Sequence, residues 1–281
     1  MEFWKMNGAG NDFLVIDNMS GEYDHVDWPK LASVLCERHM SIGADGFMVV
    51  EKPDGDADYK MLFFNNDGSV GEMCGNGARC ICRYGYEKDL AGDIQRVETT
   101  AGVVIGERID KRRYTVRLND PSIIKMNQKT EALGKEYTYD FLELGNPGVP
   151  HMCVKIENLR EYPLNELRKI GAQLRHCKVL PKGANVNFYE LTGENKVFER
   201  TFERGVENFT YACGTGTASV VAALFMHGET GDTVEVEMAG GLLEVHVEPK
   251  EDDEKTAEKL WLTGPTNIVA KGLVTDEELV L

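Results

Sequence analysis

Cys74 heads the string Cys74-Gly75-Asn76-Gly77 and Cys213 heads Cys213-Gly214-Thr215-Gly216, 139 positions apart in a chain of 281 residues. Each cysteine stands where a strand and turn give way to a helical pattern, so each thiol is expected at a helix N-terminus. There the first backbone N–H groups lack partners and the helix dipole is positive, which is expected to lower the thiol pKa toward the reactive thiolate. The glycines that follow let a ligand reach the backbone with no Cβ in the way. Two such loops brought face to face would hold a carboxylate between two sulfurs. One thiolate beside one thiol is then the stable pairing, because two thiolates repel. That constellation suits inversion at a carbon α to a carboxylate. The thiolate takes the hydrogen from one face, the thiol returns a proton to the other, and helix-end donors stabilise the developing charge. The chemistry needs no cofactor and no metal.

The rest of the chain repeats around these loops. Phe13-Leu14-Val15 corresponds to Met152-Cys153-Val154 and Phe64-Asn65 to Glu203-Arg204 at the same offset, Ala44 to Ala184 at 140, and Ala101-Gly102 to Ala239-Gly240 at 138. A near-constant offset implies two structurally equivalent halves. The first half reads as strands at 2–6, 13–17, 46–50, 60–64, 96–99, 103–109 and 114–118, with helices from Asp27 to about His39 and behind Cys74. The polar segment 119–136, broken by Pro121, is expected to be a linker. Strands recur at 140–144, 151–156, 185–191, 196–202, 233–238, 242–248 and 259–262, with helices at 165–177 and 217–226 and a charged, solvated hairpin tip at 248–255. Residues 217–226 are apolar on nearly every face, so that helix must be enclosed. Residues 78–86 should take the same place in the first half, less apolar because of Arg79, Arg83 and Tyr84. The expected fold is α+β: two pseudo-symmetric lobes, each a curled mixed or antiparallel sheet around a central helix, with the active site in the cleft between them. The lobes are expected at 1–120 and 121–265.

Composition narrows the partners. Hydrophobic residues make up 42% and charged residues 28%, the balance of an ordinary globular protein. A net charge of −16 argues against nucleic acid and anionic membrane, which repel an acidic surface. The N-terminus shows no basic segment followed by an apolar core, and the apolar stretch 218–226 is too short to span a bilayer. A cytoplasmic protein with a small-molecule substrate is expected. Seven cysteines in so long a chain do not read as a disulfide framework.

Several strings closely resemble the signatures of the diaminopimelate epimerase family. They are Asn65-Asn66-Asp67-Gly68-Ser69 with Met73-Cys74-Gly75-Asn76-Gly77-Ala78-Arg79-Cys80, and Glu203-Arg204-Gly205-Val206-Glu207 with Thr210-Tyr211-Ala212-Cys213-Gly214-Thr215-Gly216. Lys5-Met6-Asn7-Gly8-Ala9-Gly10-Asn11-Asp12-Phe13 and Ile42-Gly43-Ala44-Asp45-Gly46 are similar to the same family. The resemblance runs from about Lys5 to Pro265. It implies a PLP-independent, cytosolic homodimer that converts LL-diaminopimelate to the meso form for lysine and peptidoglycan synthesis. It also implies that 266–281 return to the first lobe. Carried over by position, Cys74 and Cys213 are the acid/base pair, and Gly75, Asn76, Gly214 and Thr215 hold the carboxylate at the reacting centre. Asn11, Asn65, Asn185 and Arg204 read the distal amino-acid end, where a guanidinium suits a carboxylate. Glu203 and His151 stand beside the cysteines and tune their ionisation, with Glu203 also at the substrate. Two positions depart from the family pattern: Val149 replaces an asparagine before Pro150-His151, and Gly46 stands where some relatives have glutamine. Both touch substrate recognition and leave open a cofactor-independent racemase of another amino acid, such as histidine.

Other readings predict different outcomes. A non-catalytic protein that clamps an amino acid between two lobes would keep its whole function with Cys74→Ala. Cys74, Cys80 and Cys82 as metal ligands would lack both a CxxC pair and a companion histidine cluster. Cys36, Cys80, Cys82, Cys153 and Cys177 read as packing residues, and His25, His39, His176, His227 and His246 as structural.

Overall fold

A computed structural model describes residues 1–71 and 74–275. The chain divides into two units: Met1–Val116 with the residues from Thr263 onward, and Arg117–Leu262.

The first unit begins with β1 (Glu2–Gly8), β2 (Asn11–Asp17), α1 (Trp28–Leu35), β3 (Gly46–Glu51), β4 (Tyr59–Asn65), α2 (Gly75–Glu87), β5 (Ile94–Thr99), β6 (Gly102–Arg108) and β7 (Arg113–Arg117). Along its sheet the pairings run antiparallel, parallel, antiparallel, parallel and antiparallel from β1 to β6. β2 and β3 are covered on both faces and accordingly read as near-continuous Phe, Leu, Val, Ile and Met. On one face α1 seats Trp28, Leu31, Ala32 and Leu35 against Leu14, Ile16, Phe47, Val49 and Phe64. The Asp27 side chain caps α1 by accepting from the Lys30 amide at 3.2 Å. The helix stops at Leu35, short of the His39 expected from sequence. The amides of Gly43 and Ala44 take the carbonyls of Leu35 and Cys36, so the chain must turn back there.

The second unit holds β8 (Pro121–Ala132), β9 (Lys135–Gly145), β10 (Gly148–Lys155), α3 (Leu164–Arg175), β11 (Asn185–Gly193), β12 (Lys196–Glu203), β13 (Asn208–Phe209), α4 (Gly214–His227), β14 (Thr233–Met238), β15 (Gly241–Lys250) and β16 (Asp253–Pro265). The chain returns to the first unit as β17 (Asn267–Leu273), antiparallel to β1. Residues 276–281 lie outside the described residues. From β9 through β10, β11, β12 and β14 to β15 the pairings again run antiparallel, parallel, antiparallel, parallel and antiparallel. The two units therefore repeat one topology. α4 is buried from Gly216 to Leu224 and packs on β9, β10, β11 and β15, as a helix apolar all round requires. α2 is also buried from Gly75 to Gly85, and its larger polar residues each make at least one hydrogen bond. Arg83 Nη1 donates to the Thr266 carbonyl at 2.7 Å and the Tyr84 hydroxyl to Asp17 Oδ2 at 3.1 Å.

Two loop expectations are corrected. The supposed linker is the long hairpin of β8 and β9. Its polar composition reflects an outer strand with alternate residues in water, stitched by pairs such as Lys129 with Glu136 at 2.8 Å. The charged tip at 248–255 is mostly strand as well. β15 and β16 run to within two residues of each other, and Asp253 accepts from the Lys255 amide and the Thr256 hydroxyl.

Candidate active site

Each cysteine is the N-cap of its helix, in nearly the same backbone conformation: φ −120° and ψ 115° at Cys74, φ −124° and ψ 100° at Cys213. At Cys213 the sulfur faces the first turn of its own helix, where the Gly216 amide bears on it. The first α-helical bonds are Ala78 N–H to the Cys74 carbonyl and Thr217 N–H to the Cys213 carbonyl. The amides of residues 75–77 and 214–216 thus precede the helical ladder, as the donors of an anion-receiving helix end do.

In the first unit the turn between β1 and β2 lies on the start of α2. Asn76 Nδ2 donates to Asn11 Oδ1 at 2.6 Å, and Asn11 Nδ2 to Asp45 Oδ2 at 3.2 Å. Behind them Lys5 and Arg38 hold Asp12 at 2.7 and 2.6 Å. Burial works against that carboxylate, but the two cations keep its pKa below the usual range. A Cβ on Gly8 would meet the Asn76 carbonyl at 3.0 Å, so glycine sets how closely the turn approaches the helix. Asn65 bonds locally: its side-chain amide donates to Ser69 Oγ at 2.9 Å across the 65–69 turn. The structure adds Arg79, one turn into α2 and fully buried, donating to Asn76 Oδ1 at 2.6 Å and the Gly75 carbonyl at 3.3 Å. Burial lowers its pKa to about 10, leaving a cation behind the Cys74 loop at neutral pH. Its position three residues after Asn76 was the available signal.

In the second unit, Glu203 and Thr215 bear on Cys213, while His151, Asn185 and Arg204 are linked to one another. The Arg204 amide donates to Asn185 Oδ1 at 2.8 Å, tying β11 to the loop after β12. Among the described residues the Arg204 guanidinium forms no ion pair. Thr215 Oγ1 lies 3.8 Å from Cys213 Sγ. The expectation of a thiol with a lowered pKa fails at Cys213. Burial, then the Glu203 carboxylate, push it well above the usual thiol range, and the Gly216 amide and Thr215 hydroxyl recover only part. Desolvation outweighs the helix end here, so Cys213 is a neutral thiol in the unliganded protein. Burial likewise drives His151 down to about 3, helped by the Arg204 charge, so this imidazole is neutral.

Sequence reasoning missed Asn187, Glu199 and Thr201, all buried polar groups on the sheet face beneath α4. Burial raises the Glu199 pKa from 4.5 to about 8, against hydrogen bonds from Thr217 and Thr201. The native state then keeps a proton that the unfolded chain releases, so stability falls as pH rises from about 4.5 to about 8. His151 acts in the opposite window, with stability lost as pH falls from 6.5 toward 3. Melting temperatures across pH 5 to 8 in calorimetry should therefore show a flatter alkaline decline in Glu199→Gln than in the wild type. Parallel curves would contradict the assignment.

The family model described as diaminopimelate epimerase matches residues 3–124 and 144–269, that is, both cysteine loops with the sheets that carry them. The chain belongs to the diaminopimelate epimerase family. It is 36% identical over 291 residues to a diaminopimelate epimerase of Aquifex aeolicus, covering 99% of each chain. It is 38% identical over 288 residues to one from Methanothrix thermoacetophila, covering 99% of this chain and 98% of that one. Solved structures at low identity share the fold. A hydroxyproline epimerase from Agrobacterium vitis superposes with a TM-score of 0.69 at 18% identity, covering 98% of this chain and 90% of that one. A phenazine biosynthesis protein of the PhzF family from Bacillus anthracis gives 0.71 at 14%, covering 98% and 99%. In this member of the diaminopimelate epimerase family the glycine at 46 has a steric reason. A Cβ there would stand 2.5 Å from the Phe63 ring, so no longer side chain fits without moving Phe63.

Proposed function

We propose that the protein epimerises LL-2,6-diaminopimelate to meso-diaminopimelate without PLP, in the supply of lysine and peptidoglycan precursors. The observation that carries this reading is the pair of N-cap cysteines in matching conformations, in a chain of this family. One sulfur, as thiolate, removes the α-hydrogen, and the other delivers a proton to the opposite face. Cys213, neutral in the unliganded protein, is the donor of that state, and Cys74, with the Arg79 cation behind its loop, is the base. The roles exchange when the meso isomer is the substrate. Amides at Gly75, Asn76, Gly214 and Thr215 receive the α-carboxylate, whose charge grows as the hydrogen leaves. Asn11, Asn65, Asn185 and the Arg204 guanidinium, which lacks an ion-pair partner among the described residues, bind the distal amino-acid end. Glu203 bears on Cys213 directly, and the neutral His151 keeps a second positive charge out of the site. Homodimerisation and a cytoplasmic location complete the reading. Val269 and Leu273, exposed on β17, offer apolar surface to a second copy, and no helix among the described residues is long and apolar enough to cross a membrane.

The test is incubation with LL-diaminopimelate in D₂O, followed by NMR. The meso isomer should form with deuterium at a single α-carbon. Exchange of histidine or proline with diaminopimelate untouched would instead assign the protein as a racemase of another amino acid.

A further inference from the structure

The sheet face under α4 carries more polarity than the proposed reaction uses. β10 contributes His151 and Cys153, β11 contributes Asn187, and β12 contributes Glu199 and Thr201, every one buried. Register aligns them: Cys153 lies beside Asn187, Asn187 beside Thr201, and Tyr189 beside Glu199. Thr201 Oγ1 is 3.0 Å from Asn187 Oδ1 and 3.2 Å from Glu199 Oε1. Asn187 Nδ2 lies 3.2 Å from His151 Nδ1. An amide nitrogen can only donate, so Nδ1 accepts and the ring proton sits on Nε2. The chain of contacts reaches the cysteine loop physically. A Cβ on Gly216 would stand 2.2 Å from Asn187 Oδ1 and 3.3 Å from Cys213 Sγ.

The proton count favours an uncharged carboxyl. Two hydroxyl protons, on Thr217 and Thr201, are shared among the Cys213 carbonyl at 3.0 Å, Asn187 Oδ1 at 3.0 Å and Glu199. A carboxylate at 199 has to share those two protons, whereas a carboxylic acid supplies a third. Glu199 Oε2 has no hydrogen-bond partner among the described residues, as fits an uncharged group rather than an ion.

We propose that Glu199 is a positioning residue for Cys213 and His151: as a neutral acid it completes the buried chain that fixes the imidazole tautomer and seats the Cys213 loop, and its ionisation suppresses the Cys213 thiolate. The turnover part rests on the proposed epimerase reaction; the thiol part does not. Burial holds Glu199 protonated until about pH 8, and Glu199 is among the charges that raise Cys213. The other titratable groups facing it are Cys153 on β10, whose thiol it also raises, and Tyr189 on β11; both are held neutral by burial.

Iodoacetamide alkylation followed by peptide mass spectrometry tests this across pH 6.5 to 9. In Glu199→Gln, Cys213 should react at the wild-type rate near pH 6.5 and about three- to tenfold faster at pH 9, with Cys74 unchanged as internal reference. A rate ratio for Cys213 that stays flat with pH would overturn the proposal. In turnover at pH 7, Glu199→Leu should lower kcat about tenfold with KM kept, and Glu199→Gln should restore it. Leucine as active as glutamate, or glutamine as poor as leucine, would also overturn it. If the wild type fails to exchange diaminopimelate, the epimerase reading falls while the alkylation profile still decides the role of Glu199.

Discussion

Cys213→Ala and Cys74→Ala should each lose turnover by about a thousandfold or more, because each removes a proton-transfer group that nothing nearby replaces. The loss should fall on kcat, with substrate binding largely kept, since the amides of the two helix ends do not depend on the sulfurs. Two groups that act as one unit are not additive, so the double variant should be little worse than either single one. Cys→Ser is a weaker substitution sterically but nearly as damaging, because a hydroxyl is far less acidic than a thiol. Folding should be little disturbed, as alanine keeps the N-cap backbone conformation at both positions. Equal-protein assays of LL-diaminopimelate conversion, with a melting curve for each variant, give the answer. Turnover within tenfold of wild type for either alanine variant would remove that cysteine from the mechanism.

Gly216→Ala comes second in expected size. Alanine within a helix is ordinarily favoured over glycine by about 1 kcal/mol. Here the added methyl would stand 2.2 Å from Asn187 Oδ1, far inside contact distance. Asn187 cannot yield cheaply, since its amide is held by His151 Nδ1 on one side and the Thr201 hydroxyl on the other. The clash therefore wins over propensity, and the first turn of α4 must shift with the sulfur it carries. A displacement of that kind should cost about a hundredfold in kcat and roughly 1–3 kcal/mol in stability. Gly92 is the control, since it lies outside both loops and a methyl added there would meet nothing within 4 Å among the described residues. Gly92→Ala should match wild type in both measurements. A Gly216→Ala protein with full activity would show that the Cys213 loop tolerates movement, contrary to the seating described above.

The repeat was legible because it is written in the motif residues themselves. The offset of 139 between cysteines, slipping to 140 at Ala44 and Ala184, reappears in the structure, where Phe13 pairs with Gly46 and Met152 with Val186. The enclosed helix was legible for the same reason: ten consecutive residues with no polar face leave only the interior. β8 was not. An outer strand wetted on alternate positions has the composition of a linker, and only its pairing with β9 distinguishes the two. The ionisation of Cys213 was misread because the helix end is a local feature of sequence, whereas burial and the Glu203 charge depend on packing. Asn187, Thr201 and Glu199 escaped because a polar inner face is a property of three strands in register. The hint was present in β12, where Val197, Glu199 and Thr201 alternate on one side and a glutamate takes an interior position.

A crystal structure of the Cys74→Ser/Cys213→Ser protein with meso-diaminopimelate bound tests the two-sided proton transfer most directly. The account predicts one serine Oγ on each side of the same α-carbon, both within about 3.5 Å of it. A bound substrate with only one of the two residues in reach of that carbon would contradict it.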